Sequence, residues 1–358
     1  MLKQISLLIL CAVAIVLFAT PVHACTSAVV SGKVTLDGRP LLWKNRDTDF
    51  MRNHVDYVKG ERYDFIAVVN SANAYLKEAW MGTNSAGFAL MNTQSYNLVD
   101  VKGDEERGAA NGRVIYRALE VCATVEDFCH FLDTISKPSD IEANFGVIDA
   151  QGGAAMFEVD YYKYVMYDAN NPKDAPYGYI ARTNFSFAGK VNEGAGYVRY
   201  MEADQVLMKA SATGNITPQF IFNDLSRSFR NRMLDIDLRS GGYNRPQASG
   251  WFIDQDFIPR SSTSCSVVVQ GVKPGVKAEL TTMWTLLGYP PTGIAVPLWV
   301  KDAGKLLPGM VRFNREHEAA LLSDWSLRLA DRVFSYKQGM GTGRYLNWER
   351  LYSPGKGD

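Results

Sequence analysis

The chain opens on a short basic start at Lys3, an almost unbroken apolar run from Ile5 to Phe18, and Val22-His23-Ala24, which fits the small-residue rule for leader cleavage. This pattern predicts a secretory leader over 1–24, cut after Ala24. The apolar run is about 14 residues, short of the roughly 20 that a spanning helix needs. Beyond it, segments of apolar, β-branched and aromatic residues predict strands over 26–32, 40–45, 63–70, 86–94, 143–150, 154–160, 162–169, 177–185 and 264–272. Helical periods cover 112–123, 198–210, 217–230 and 315–336. Thr124 to Asp127 reads as a capping box opening another helix through Leu132.

Asp37-Gly38 between two apolar runs is a hairpin signal. A turn centred there makes paired positions sum to about 75, which sets Cys25 opposite residue 50 or so, within a few residues of register slip. Strands flanking helical pairs predict an α+β protein of sheets covered by helices. Removal of the leader leaves 334 residues, and no linker divides them, so 25–358 is expected to be a single domain, with 353–358 a frayed tail.

Charge changes this picture little. Lys plus Arg and Asp plus Glu are both 38, and without a basic run or an acidic tail nothing points to nucleic acid or to an anionic membrane surface. The mature chain is expected to be soluble, with no stable membrane insertion. After the leader four cysteines remain, Cys25, Cys122, Cys129 and Cys265. Cys122 and Cys129 can pair only if a helix ends between them, and their state is left open. No C-x-x-C or H-E-x-x-H spacing occurs, so neither a metal nor a cofactor is expected. His54 and His317 read as surface residues and His130 as structural.

Cleavage after Ala24 makes Cys25 the first residue, and there the chemistry concentrates. A thiol with a pKa of about 8.5 is mostly protonated at neutral pH, whereas an α-amine near 7.7 to 8.0 is largely free base. An N-terminal cysteine therefore carries its own proton acceptor, which can later protonate a leaving group. Such a site needs groups to orient the amine and donors for an oxyanion.

Cys25-Thr26-Ser27, the Asp37-Gly38 hairpin and Lys44-Asn45-Arg46-Asp47 resemble the start of the cysteine N-terminal-nucleophile (Ntn) hydrolases. The resemblance is to the choloylglycine hydrolases, which include the bile salt hydrolases and penicillin V acylases, and to the acyl-CoA:6-aminopenicillanic acid acyltransferases. In those families a Cys-Thr start is followed by Arg-Asn-x-Asp. Lys44 stands where the family has its Arg, and Arg46 is the alternative carrier of that role. By resemblance Asp47 contacts the amine. Gly82 to Phe88 with Met91-Asn92-Thr93 resembles the family segment lining the oxyanion hole, and Arg182-Thr183-Asn184-Phe185 the strand end whose amide faces the nucleophile. Arg260 is the nearest candidate for a second family arginine, and Asn84 reads as a turn residue.

The resemblance spans Cys25 to about Phe185 and implies a four-layer αββα sandwich and hydrolysis of a linear amide in a small N-acyl substrate. Cys25 would attack, Asn184 with a backbone N–H near Thr93 would hold the oxyanion, and Asp47 with Lys44 or Arg46 would tune the amine. Phe50, Tyr57, Trp80 and Tyr96 are candidate walls of an acyl pocket, or core.

Three alternatives stay open from the sequence. An acyltransferase would use the same acyl-enzyme, and a dipeptidase of a related Ntn family begins similarly. A lipid-anchored binding protein would instead modify Cys25, although Val22-His23 fits a lipoprotein cleavage box poorly. The leader implies export, to a bacterial periplasm or beyond, and several relatives assemble as tetramers, so a homo-oligomer is a further open reading.

Overall fold

A computed structural model describes residues 24–100, 108–240, 251–254, 256–337 and 343–352. The leader up to residue 23 and the 353–358 tail, on which sequence expectations fall, lie outside the described residues. The strands are β1 (Cys25–Val30), β2 (Leu41–Asp47), β3 (Asn53–Val58), β4 (Phe65–Asn70), β5 (Met81–Asn84), β6 (Ala89–Gln94), β7 (Ala143–Ile148), β8 (Ala154–Val159), β9 (Tyr164–Asp168) and β10 (Tyr179–Arg182). Then follow β11 (Arg230–Asn231), β12 (Ile236–Asp237), β13 (Trp251–Ile253), β14 (Thr263–Gln270), β15 (Thr282–Leu287), β16 (Ala295–Leu298), β17 (Phe334–Lys337) and β18 (Gly343–Asn347). The longer helices are α1 (Asn111–Val121), α2 (Val125–Thr134), α3 (Tyr197–Ser211) and α4 (Leu321–Ala330).

Two antiparallel sheets stack face to face. One has the order β10-β1-β2-β14-β15-β16, and the other runs β3 to β9 in sequence order. Alternation along each strand sorts its side chains to two sides. Val29, Leu42 and Val267 of the first sheet meet Val68, Met91 and Met156 of the second in the central layer. The outer face of the second sheet, with Phe65, Leu90 and Phe157, is covered by Ile115, Leu119 and Phe128 of α1 and α2. The outer face of the first sheet, with Trp43 and Val268, is covered by Ala203 and Leu207 of α3. The protein is therefore an αββα sandwich. Buried large side chains of this kind each contribute about 1.5–3 kcal/mol. Gly146 sets the sheet spacing locally, because a Cβ there would lie 2.3 Å from Cε of Met91 and 2.8 Å from Cδ1 of Leu42.

The capping box forms as the sequence predicts: Asp127 N donates to Oγ1 of Thr124 at 3.0 Å and Thr124 N to the Asp127 carboxylate at 3.2 Å. Other expectations are corrected. The first hairpin is closed by the 31–40 segment rather than a two-residue turn, with a helical turn at Gly32–Val34 absorbing the extra chain. Cys25 pairs with Arg46, within the register slip of a few residues that the sequence reading allowed about residue 50. The 86–94 run is a strand only from Ala89, because Gly87 (φ +78°) turns the chain back from β5. The helix expected over 217–230 forms only in its first half, an α turn at Pro218–Phe220 running on into π-helix at Ile221–Leu225, and ends before β11. That over 315–336 shortens to α4 and gives way to β17. Cys122 ends α1 and Cys129 lies in α2, so a helix does end between them, yet both thiols are free. Among the described residues no helix is long and apolar enough to cross a membrane.

Candidate active site

Cys25 is the first residue of β1, flanked by β10 and β2. Residues paired across antiparallel strands share a face, so the register places Cys25, Arg46 and Cys265 together, with Ser27, Lys44 and Val267 in the next row. Val267 belongs to the central layer, so this face looks toward the second sheet. Two cationic side chains thus rise beside the thiol where the sheets would otherwise meet through apolar groups.

The nitrogen of Cys25, here a peptide N–H because Ala24 precedes it, donates to Oδ1 of Asn184 at 2.9 Å. Asn184 lies just past β10 and is pinned there by paired backbone bonds with Ala195, both 3.1 Å. Its Nδ2 donates to the Gln94 carbonyl at 2.9 Å. Arg199 of α3 donates to the same Oδ1 at 2.9 Å, to the Cys25 carbonyl at 2.6 Å and to Oγ1 of Thr26 at 2.8 Å. Two donors on one atom and a carbonyl on the other fix which way the amide points. Asn184 thus faces Cys25, but with its acceptor oxygen, whereas the resemblance implies that its NH2 does so.

Asp47 ends β2, and its carbonyl lies 4.0 Å from Sγ of Cys25. Its buried carboxylate does not take the amine contact that the resemblance implies. Oδ2 accepts from Nε and Nη2 of Arg260, each at 2.9 Å, and Oδ1 from Oγ1 of Thr263 at 2.5 Å. A bulge between Thr263 and Cys265 brings Thr263 opposite Asp47. Arg260, the candidate for the second family arginine, therefore stands in direct contact with the motif.

Lys44 Nζ donates to Oδ1 of Asn92 at 2.9 Å and to the Trp80 carbonyl at 3.1 Å. Burial pushes its ammonium down to about 8, opposed by the Cys25 thiol and helped by Arg46. Arg46 donates to Oδ1 of Asn53 at 2.7 Å and lies 4.5 Å from the Trp80 ring centre. Burial lowers its pKa as well, to about 10. Both candidates for the family's Arg thus reach the site, Arg46 directly across from Cys25 and Lys44 bonded to Asn92. Thr93 is fully buried behind it, its Oγ1 accepting from Nδ2 of Asn144 at 3.0 Å.

A cavity of about 370 Å³ opens over Cys25, with Lys44, Arg46, Asp47 and Asn92 lining it and Phe50, Leu76 and Trp80 among its apolar walls. Phe50 and Trp80 are therefore placed at the pocket, whereas Tyr57 bonds Asp64 at 2.7 Å elsewhere. Asn84 is a turn residue as read: Oδ1 accepts from Ala86 N and Phe88 N, both at 3.1 Å. His54 is buried against Ser71 and Phe313 rather than exposed. Arg199 and Thr263 were missed. The one signal for Arg199 was a basic residue in the first turn of a helix, against the dipole.

A sequence model described as "Acyl-coenzyme A:6-aminopenicillanic acid acyl-transferase" matches residues 35–219, a little over half of the chain. The match includes Lys44, Arg46, Asp47, Asn92, Thr93 and Asn184 and begins after Cys25. None of the curated proteins matches significantly. Among solved structures, a mutant conjugated bile acid hydrolase from Clostridium perfringens is 12% identical, over 78% of this chain and 93% of that one, with a TM-score of 0.45. Penicillin V acylase from Agrobacterium tumefaciens is 15% identical, over 77% and 86%, with a TM-score of 0.40. The Caenorhabditis elegans ortholog of N-acylethanolamine-hydrolyzing acid amidase is 16% identical, over 56% and 90%, with a TM-score of 0.37. Likenesses at these scores add nothing to the sequence match.

Proposed function

Because the chain belongs to the acyl-coenzyme A:6-aminopenicillanic acid acyl-transferase family, we propose that it is an exported cysteine Ntn hydrolase that cleaves linear amide bonds in small N-acyl compounds. The leader directs export, and its removal after Ala24 frees the amine of Cys25. The observation that carries this reading is the placement of the Cys25 nitrogen: it is held by Asn184 at 2.9 Å on a residue that lines a cavity with two buried cations.

The free amine takes the thiol proton, and the thiolate attacks the acyl carbonyl. Lys44 occupies Oδ1 of Asn92, which leaves the NH2 of Asn92 as a donor for the developing oxyanion. The amine product departs with the proton held by the α-amine, and water then cleaves the thioester. Asp47, neutralised by Arg260 and Thr263, fixes the strand end beside Sγ.

The test compares wild type with Cys25→Ser, and with thiol-alkylated enzyme, on N-acyl amino acids, penicillin V and conjugated bile salts, after intact mass has located the mature N-terminus. Loss of turnover in both, with Cys25 first in the chain, is expected. Full turnover by the serine variant, or active protein that retains the leader, overturns the reading. The family match favours one second reading, transfer of the acyl group to an amine, which the ratio of aminolysis to hydrolysis products decides.

A further inference from the structure

Arg199 lies in the first turn of α3 and is 2% exposed. Its three acceptors, the Cys25 carbonyl, Oγ1 of Thr26 and Oδ1 of Asn184, are all neutral. Burying a cation on such partners is costly, and burial, followed by the nearby Arg260, lowers its pKa to about 10. Space is kept for it nonetheless. Gly196, at φ +88°, caps the start of α3, and a Cβ there would come within 2.3 Å of the Arg199 Nη2.

We infer that Arg199 is a positioning residue for the nucleophile's nitrogen: it fixes Oδ1 of Asn184 as the acceptor for that nitrogen and, as a neighbouring cation, favours the uncharged form of the Cys25 amine. This rests on the proposed function, in which cleavage after Ala24 creates that amine. The Cys25 nitrogen and Nη2 of Arg199 both lie 2.9 Å from one oxygen, so they stand no further apart than two hydrogen bonds laid end to end. A like charge within about 4–6 Å disfavours protonation. The other groups facing this place are the Cys25 thiol, Lys44 and Arg46 from β2, Cys265 from β14, Tyr96, Asp47 tied to Arg260, and Asp256. Asp47 acts in the opposite direction on the amine, but its charge is offset by Arg260.

The experiment uses mature protein with 13C-labelled cysteine, the Cys25 signals being assigned by their loss in Cys25→Ser. Their pH titration is set beside the acid limb of kcat/KM. Arg199→Gln is expected to raise both midpoints by about one pH unit. Arg199→Lys, which keeps the charge but cannot span three acceptors, should hold the midpoints and lower kcat on the order of tenfold. A folded Arg199→Gln with unmoved midpoints overturns the inference. If that variant does not fold, the wild type decides: an amine midpoint at or above the ordinary 7.7–8.0 or so overturns it, and one below supports it. Active enzyme with Ala24 still attached would instead sink the parent reading, so the two failures are distinguishable.

Discussion

Nζ of Lys44 donates to Oδ1 of Asn92 at 2.9 Å, a bond that joins the two stacked sheets beside Cys25. Each partner comes from a different sheet, β2 and β6, so the floor of the cavity is held by a polar contact where the rest of the layer is apolar. The buried ammonium has a measurable cost. Its pKa falls from 10.5 to about 8, so between these values the unfolded chain binds more protons than the folded one, and stability rises with pH. Below pH 8 or so the full cost, about 3 kcal/mol, is present. Urea unfolding of wild type and Lys44→Met is expected to show the gap moving toward the wild type by most of that amount from pH 8 to 10. A constant gap would refute the shifted ammonium.

Asp47 and Arg260 form a pair with side chains 1% and 13% exposed. Asp47→Asn leaves the guanidinium without its counter-charge and is expected to cost about 3 kcal/mol, with kcat/KM down on the order of a hundredfold. Adding Arg260→Met should recover part of the stability and none of the activity. Strict additivity in thermal unfolding would show that the two residues are not coupled.

Asn84 gives the opposite signature. Its Nδ2 donates to the Leu119 carbonyl at 2.9 Å and the Cys122 carbonyl at 2.7 Å, while Oδ1 holds the following turn. Asn84→Ala should lose about 2–4 kcal/mol, yet at a temperature where it stays folded its kcat/KM should match the wild type. A fall in kcat/KM with stability intact would place Asn84 in the chemistry.

Glu158 controls the segment that carries Asn184. Oε1 accepts from Nε of Arg182 at 2.7 Å and from Phe187 N at 2.8 Å, and Oε2 from Ala188 N at 2.7 Å. Glu158→Gln removes the charge opposite a buried Arg182, and about 3 kcal/mol should be lost. Displacement of Asn184 should show in kcat more than in KM; an unchanged kcat would mean that the segment is held without Glu158.

Much of this site was legible locally. The expected leader, with its small-residue end, picks out Cys25, and the resemblance to the cysteine Ntn hydrolases supplies Lys44, Arg46, Asp47, Asn92 and Asn184. The register was not legible, because Asp37-Gly38 sits inside a ten-residue connection whose Gly32–Val34 turn leaves no hydrophobic signature. Nor was the partner of each polar atom. Asn184 could be read as facing the nucleophile, but which end of its amide does so depends on Arg199 and Gln94, which approach from α3 and β6. β15 and β16 were missed because their ladder partners decide them more than their own alternation does.

The acceptor for the Cys25 nitrogen lies 159 residues further along the chain, the guanidinium behind it 174 residues further, and the arginine on Asp47 further still. Cys25 is thus among the earliest residues of the folded part to be synthesised and among the last to be equipped. Under the proposed function, a nascent or truncated chain carries the thiol without the groups that hold its nitrogen, so acylation of Cys25 waits until folding is nearly complete.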